Sequence, residues 1–256
     1  MSYTGIFDTH AHYDDSWFDE DRDNTLSFIK ESGVSAVINC SCDYKSSLTT
    51  LALSEKYDFI YAALGVHPEC SKEIILKDTE IIKPLYDKQM VVAVGEIGLD
   101  YHYDETPREL QKEVFEKQII LAKELDLPII VHDREAHEDT MEILKKYKPK
   151  GVLHCFSGST EMAKEIIKLG MYIGLGGVVT FKNARKSVEV AEMLPVDCLL
   201  LETDCPYMAP VPFRGKRCDS SLIAYTAEFI ANLKRIEAQT LIDICNSNAK
   251  SLFNIK

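Results

Sequence analysis

Seven histidines are spread along the chain, and five of them, His10, His12, His67, His132 and His154, stand at the ends of short apolar runs. The other two, His102 and His137, fall in loop or helix-start positions. A single imidazole at such a place is usually a satisfied core histidine. Five at the same end of four such runs have no packing rationale, and they point to metal binding. In a strand, residues two apart share a face, so the imidazoles of His10-Ala11-His12 can meet one cation. Glu96 lies inside Val91-Val92-Ala93-Val94-Gly95-Glu96-Ile97-Gly98, and Asp204 ends Leu199-Leu200-Leu201-Glu202-Thr203-Asp204. A carboxylate in an apolar run is costly unless paired or metal-bound, and the two oxygens of Glu96 can bridge two cations. Imidazole mixed with carboxylate suits Zn²⁺, Mn²⁺, Fe²⁺ or Co²⁺ better than Ca²⁺. Glu202 shares the face of Asp204. It reads equally as an acceptor for a ligating imidazole or as half of a buried ion pair.

These side chains need a scaffold that brings distant segments to one rim. Eight apolar runs are strand-like: Gly5-His12, Val34-Cys40, Phe59-His67, Val91-Leu99, Pro128-His132, Gly151-His154, Met171-Gly176 and Cys198-Asp204. Continuous rather than alternating apolar character suits a parallel sheet covered on both faces. Helical spacing intervenes at Arg22-Ser32, Thr160-Leu169 and Ser221-Lys234. It is clearest over Pro107-Leu125, where Leu110, Val114, Phe115, Gln118, Ile119, Leu121 and Ala122 recur three and four apart. Pro107 and Glu109 suit a first turn, and Pro128 ends the helix. Eight strand–helix alternations predict an α/β fold, a (β/α)₈ TIM barrel, whose strand C-termini form the active-site face. The competing open doubly wound sheet is weakened because no G-x-G-x-x-G follows the first strand. No linker or low-complexity segment divides residues 1–256, so one barrel domain is expected.

Composition narrows the function. The chain is 46% hydrophobic and 27% charged, which excludes disorder, collagen and coiled coil. Runs such as Leu127-Pro128-Ile129-Ile130-Val131 fall short of the roughly 18 apolar residues of a membrane span. The start Met1-Ser2-Tyr3-Thr4-Gly5 has no signal-peptide pattern, so a cytoplasmic location is expected. The eight scattered cysteines read as reduced thiols, and Cys40/Cys42 is a CxC rather than a CxxC. A net charge of −12 argues against coating nucleic acid broadly, but not against gripping a few phosphates locally.

Six segments then carry a family resemblance. They are Phe7-Asp8-Thr9-His10-Ala11-His12, Gly65-Val66-His67-Pro68, Gly95-Glu96-Ile97-Gly98-Leu99-Asp100-Tyr101, Pro128-Ile129-Ile130-Val131-His132-Asp133-Arg134, His154-Cys155-Phe156-Ser157-Gly158 and Glu202-Thr203-Asp204-Cys205-Pro206-Tyr207. Together the chain resembles the TatD-type metal-dependent deoxyribonucleases, amidohydrolase-like TIM barrels, from Ile6 to Asn248-Ala249-Lys250-Ser251-Leu252-Phe253. The resemblance implies two divalent metal ions, Mg²⁺, Mn²⁺ or Zn²⁺. It implies that His10, His12 and Asp204 hold the first, that Glu96 bridges, and that His132 and His154 hold the second. Many related amidohydrolases place a carboxylated lysine at the bridge, and Glu96 in its stead agrees with the nuclease-like branch. Cys205 replaces the usual Ser and reads as a small neighbour rather than a ligand. Arg214-Gly215-Lys216 keeps the family's RGK pattern but lacks the Asn-Glu-Pro that usually follows, which bears on loop shape and substrate fit.

The expected reaction is hydrolysis of a DNA phosphodiester, as a 3′-end exonuclease preferring single strands or frayed ends. Metal ions lower the pKa of water from roughly 16 to 7, and Asp204 lies at the right strand end to orient that water and take its proton. His67, outside the six ligands, is the candidate donor to phosphate or leaving group. Arg134 faces the side of His132 and suits a phosphate. Arg214, Lys216 and Arg217 form a basic cluster beyond the last strand, to be weighed against a solvated loop. Tyr101, Tyr103, Phe156, Tyr207 and Phe213 are candidate base-stacking rings. DNA is the expected partner, with no membrane and no obligate protein partner. The same ligands serve attack on carbon. The enzymatic alternative is therefore hydrolysis of a carboxylic ester, lactone or amide, such as a D-aminoacyl-tRNA deacylase. A barrel kept only as a binding scaffold is disfavoured because all six ligands are present.

Overall fold

A computed structural model of the chain describes residues 3–70, 72–102 and 106–256. The expected Tyr103 ring lies outside the described residues. Eight parallel strands follow one another in sequence order in one sheet: β1 (Ile6–Ala11), β2 (Val34–Cys40), β3 (Ile60–Leu64), β4 (Val91–Asp100), β5 (Ile129–Arg134), β6 (Gly151–Leu153), β7 (Tyr172–Leu175) and β8 (Leu199–Leu201). The sheet returns on itself. Ala11 bridges Cys205 in parallel, His12 N–H donates to the Cys205 carbonyl at 2.8 Å, and Asp204 N–H donates to the His10 carbonyl at 2.9 Å. The helices are α1 (Arg22–Glu31), α2 (Tyr44–Lys56), α3 (Lys72–Ile81), α4 (Arg108–Glu124), α5 (His137–Tyr147), α6 (Thr160–Lys168), α7 (Arg185–Met193), α8 (Ile223–Lys234) and α9 (Ala238–Phe253). This is the expected (β/α)₈ TIM barrel, with α9 added after the eighth repeat.

Local sequence explains the elements. At the start of α2 the Asp43 side chain accepts from Ser46 N–H while Ser46 Oγ accepts from Asp43 N–H, a reciprocal cap. Helix α4 buries Val114, Phe115, Ile119 and Ala122 at three- and four-residue spacing. Each large apolar side chain so buried contributes about 1.5–3 kcal/mol. Leu110 and Leu121 are only half-buried.

Two apolar layers result. The larger lies between sheet and helices and includes Leu26, Ile29, Phe115 and Ile119. The smaller fills the barrel, with Ala36, Ile38, Ala63, Ile130, Val152 and Leu200. Phe253 of α9 closes it against Phe7, ring centroids 6.5 Å apart. All eight cysteines are free thiols. Among the described residues no helix is long and apolar enough to cross a membrane.

Two irregularities decide what faces the lumen. Asp8 pairs with Val37 but Ala11 with Asn39, and Val94 pairs with Ile129 but Ile97 with Val131. Each puts one extra residue into β1 and β4, and beyond a bulge the side-chain alternation reverses. Val94 and Ile97, an odd spacing apart, both pack outward against the helices. Glu96 between them is thereby turned inward, and His10 is turned inward the same way on β1.

Candidate metal centre

Strand tips deliver five imidazoles and two carboxylates to one place. His10 lies in β1 and His12 one residue beyond it, and their Nε2 atoms are 3.1 Å apart. Glu96 lies within β4, which runs on to Asp100 rather than ending near the carboxylate. His132 is within β5, His154 one residue past β6, His67 three past β3 and Asp204 three past β8. The oxygens of Glu96 divide the rings. Oε2 lies 3.3 Å from His10 Nε2 and 3.6 Å from His12 Nε2. Oε1 lies 2.8 Å from His132 Nδ1, 2.7 Å from His154 Nε2 and 3.6 Å from His67 Nε2. Asp204 Oδ1 completes the first group, 3.4 Å from His12 Nε2 and 3.7 Å from His10 Nε2. The ring of His154 stacks on that of His10 at 3.8 Å, joining the two groups.

In the neutral rings of His12 and His132, the form a cation would need, the far side sets which nitrogen faces the centre with a lone pair. His12 Nδ1 is 2.9 Å from the Cys40 carbonyl and must donate to it, leaving Nε2 as the inward lone pair. His132 Nε2 is 2.8 Å from Asp100 Oδ2, leaving Nδ1 inward. Ligating imidazoles are commonly oriented in this way by a carbonyl or carboxylate. His67 differs. Its Nδ1 accepts from the Glu69 N–H at 3.2 Å, so a neutral His67 carries its proton on Nε2, facing inward as a donor. Nitrogen and oxygen donors gather in three overlapping groups, His10 with His12 and Glu96, His10 with His154 and Asp204, and His67 with Glu96 and His132. This donor set fits borderline divalent cations.

A family model for TatD-related DNases matches residues 7–254. The chain belongs to that family. It is 45% identical over 253 residues to the uncharacterized metal-dependent hydrolase YabD of Bacillus subtilis (strain 168), covering 98% of this chain and 99% of that one. It is 31% identical over 259 residues to the 3′-5′ ssDNA/RNA exonuclease TatD of Erwinia tasmaniensis, covering 98% and 100%. The crystal structure of YjjV, a TatD homologue from Escherichia coli K12, superposes with a TM-score of 0.90 at 34% identity, covering 98% of this chain and 99% of that one. This TatD-family protein is a metal-dependent hydrolase.

Around the centre, the TatD-family barrel carries supports that sequence patterns did not single out. Buried Asp100 orients His132. It falls at even spacing from Glu96 in β4, so the period-two rule could have found it. Gln111 of α4 grips the Asp100 backbone, accepting from its N–H at 2.9 Å and donating to its carbonyl at 2.8 Å. Two turns on, Gln118 does the same for Val66, the residue before His67, at 2.8 and 3.0 Å. Asp8 latches the seam between β1 and β8. It accepts from Thr203 Oγ1 and Ser220 Oγ, each at 2.6 Å, and from Thr203 N–H at 3.0 Å.

Charge is strongly organised here. Burial opposes ionisation of Glu96, yet His154, His10 and His67 hold its carboxyl well below the ordinary range. Asp204 is likewise lowered, because the His12 hydrogen bond and the neighbouring rings outweigh burial. Burial also works against charge on His12 and His132, but Asp204 and Glu96 raise the first to about 10 and Asp100 and Glu96 raise the second to about 10. Burial and the neighbouring His154 lower His10 to about 4. Burial raises Glu202 to about 8. Its Oε1 accepts from Cys155 N–H, and it is otherwise 3.9 Å from His154 Nδ1. Cys205 is buried, and with Asp8 and Cys218 beside it the thiol is pushed well above its usual range, so it stays protonated.

The basic residues are dispersed rather than clustered. Arg134 ends β5 with its guanidinium 3.9 Å from Glu69. Arg214 lies over the Phe181 ring at 4.4 Å and lines a cavity of about 500 Å³ with Asn183, Arg185 and Lys186. Lys216 lines a different cavity, about 520 Å³, beside Phe28, Tyr225 and Glu228. Arg217 is bound to Asp21 through both terminal nitrogens, at 2.8 and 2.7 Å. Of the candidate stacking rings, Phe156 is buried and Phe213 packs edge-on against Tyr225. Tyr101 donates to Asp139 under the Arg108 guanidinium, and Tyr207 is exposed.

Proposed function

We propose that this chain is a divalent-metal-dependent phosphodiesterase acting on single-stranded or frayed DNA from the 3′ end, with two cations in its centre. The observation that carries the reading is Glu96, whose two oxygens face two separate imidazole groups. A carboxylate so placed suits a bridge. His10, His12 and Asp204 would hold one cation, and His132 and His154 the other. Bound divalent cations supply Lewis acidity toward phosphoryl and water oxygens. Polarity and strand preference draw support from the name of the Erwinia relative, a 3′-5′ ssDNA/RNA exonuclease.

The chain's own groups do the remaining work. Asp204, ionised at neutral pH, orients the attacking water and accepts its proton. The Nε2–H of His67 donates to a phosphoryl or leaving oxygen, a role its bond from Glu69 leaves open. Arg134, at the β5 end of the rim, pairs with phosphate. Asp100 and the Cys40 carbonyl fix the rings of His132 and His12.

The test is end-labelled single-stranded DNA incubated with Mg²⁺, Mn²⁺, Zn²⁺ or chelator, with an aminoacyl-tRNA run in parallel. Stepwise shortening from the 3′ end, abolished by chelator and restored by metal, is the expected result. Deacylation of the tRNA without any DNA shortening overturns it.

A further inference from the structure

The described aromatic residues that are well exposed are Trp17, Phe28 and Tyr207, and two of the three stand together beside the metal centre. Trp17 is 56% exposed and Tyr207 44%. Their ring centroids are 5.9 Å apart at 50°. Apolar rings open to water at one spot need a partner or a reason.

Their anchoring gives the reason. Both step off the two strand ends that carry the first group of ligands. Asp15 N–H donates to the His12 carbonyl at 3.1 Å, and the Asp15 carboxylate accepts from Trp17 N–H at 2.7 Å and from the Tyr207 hydroxyl at 2.8 Å. Tyr207 N–H donates to the Asp204 carbonyl at 2.9 Å. Arg217 braces the far side, donating to the Trp17 carbonyl at 2.7 Å while held by Asp21. One carboxylate thus ties both rings to His12 and Asp204. The rings are pre-set rather than loose.

We infer that Trp17 and Tyr207 form a stacking platform for a nucleobase of the strand whose linkage is being hydrolysed. The inference rests on the nuclease reading above and names the part of the substrate that this rim recognises. Aromatic pairs sit at centroid separations of about 4.5–7 Å, so the two rings already touch and the base lies on their exposed face. Met208 and Val211 are also exposed on the loop after Asp204. Phosphate is disfavoured there because the Asp15 carboxylate stands at the foot of both rings. An unpaired base offers a free face, whereas a base inside a duplex does not, so the platform favours single strands.

Trp17 is the chain's one tryptophan, so its fluorescence reads the site directly. The holoenzyme with Mg²⁺ is titrated with a hydrolysis-resistant phosphorothioate oligothymidylate, and with an abasic chain of the same length and backbone. The oligothymidylate should quench the emission saturably, and the abasic chain should bind at least about fivefold more weakly. By anisotropy of labelled oligothymidylate, Trp17→Ala and Tyr207→Ala should each weaken binding between about fivefold and 150-fold, while Trp17→Phe stays near wild type. Unchanged melting temperatures certify the folds. Equal binding of the abasic chain, or wild-type affinity in both alanine variants, overturns the platform. If those variants still shorten DNA normally, the nuclease reading stands without it. If the wild type neither binds nor shortens any oligonucleotide with any metal, both fall.

Discussion

The two ends of the barrel bury their side chains equally and fill themselves oppositely. At the α9 end, Phe7, Ile38, Ile130 and Phe253 are at most 4% exposed and wholly apolar. At the mouth, His10, Glu96, His154 and Glu202 are at most 5% exposed and wholly ionisable. Apolar burial stabilises at roughly 25 cal/mol per Å², whereas burying ionisable groups is costly unless they are paired. One end of the lumen therefore contributes stability. The other holds pre-oriented charge that the rest of the fold must support. A TIM barrel tolerates this because its strands continue through both zones and tie them together.

The sharpest way to break that contrast is Glu96→Ala, which removes the carboxylate shared by both imidazole groups. Turnover should fall about a thousandfold or more, with metal content lost in parallel. Normal activity and metal in this variant would falsify the bridging role. The mirror experiment is Phe253→Ala at the opposite end. It should cost about 3–5 kcal/mol, a melting-temperature drop of roughly 6–20 °C, with metal stoichiometry unchanged by elemental analysis. Asp100→Asn keeps its shape but weakens its hold on His132, and calorimetry should find metal affinity down about 10–100-fold. Arg134→Ala should act on substrate alone, raising KM about tenfold with kcat little changed. The smallest effect is expected of Glu202→Gln. Burial raises this carboxyl to about 8, so the folded chain holds a proton that the unfolded chain releases near its ordinary range. Stability from this group is therefore greatest at low pH and declines as pH rises toward 8. Glutamine mimics the protonated acid. In chelator the variant should lose that decline between pH 6 and 8.5, with little change in melting temperature near pH 4, where the unfolded acid also keeps its proton.

Much of this was legible in residue order. Every expected apolar run is a strand, since buried parallel strands need no alternation and leave a plain apolar signature. The candidate ligands could be picked out because imidazoles and carboxylates in or just past apolar runs have no packing explanation. The bulges in β1 and β4 were not legible, because an extra residue leaves no mark in composition, and yet they aim His10 and Glu96 inward. The β3 run was read too long, since Gly65-Val66-His67 is as apolar as a strand but leaves the ladder at Leu64. Gln118 falls on the buried stripe of α4 and reads as filler until its partner, Val66, is seen. The basic residues after β8 look like one patch in sequence. Their partners, Phe181 for Arg214 and Asp21 for Arg217, come from far along the chain and separate them.

The seam where Asp204 meets His10 has a consequence for how the barrel can be divided. His10, His12 and Asp204 stand on the first and eighth repeats and are joined there by the hydrogen bond from Asp204 N–H to the His10 carbonyl. A fragment that lacks either repeat cannot gather all three. A half-barrel cut from either side therefore keeps only part of the first cation site proposed above.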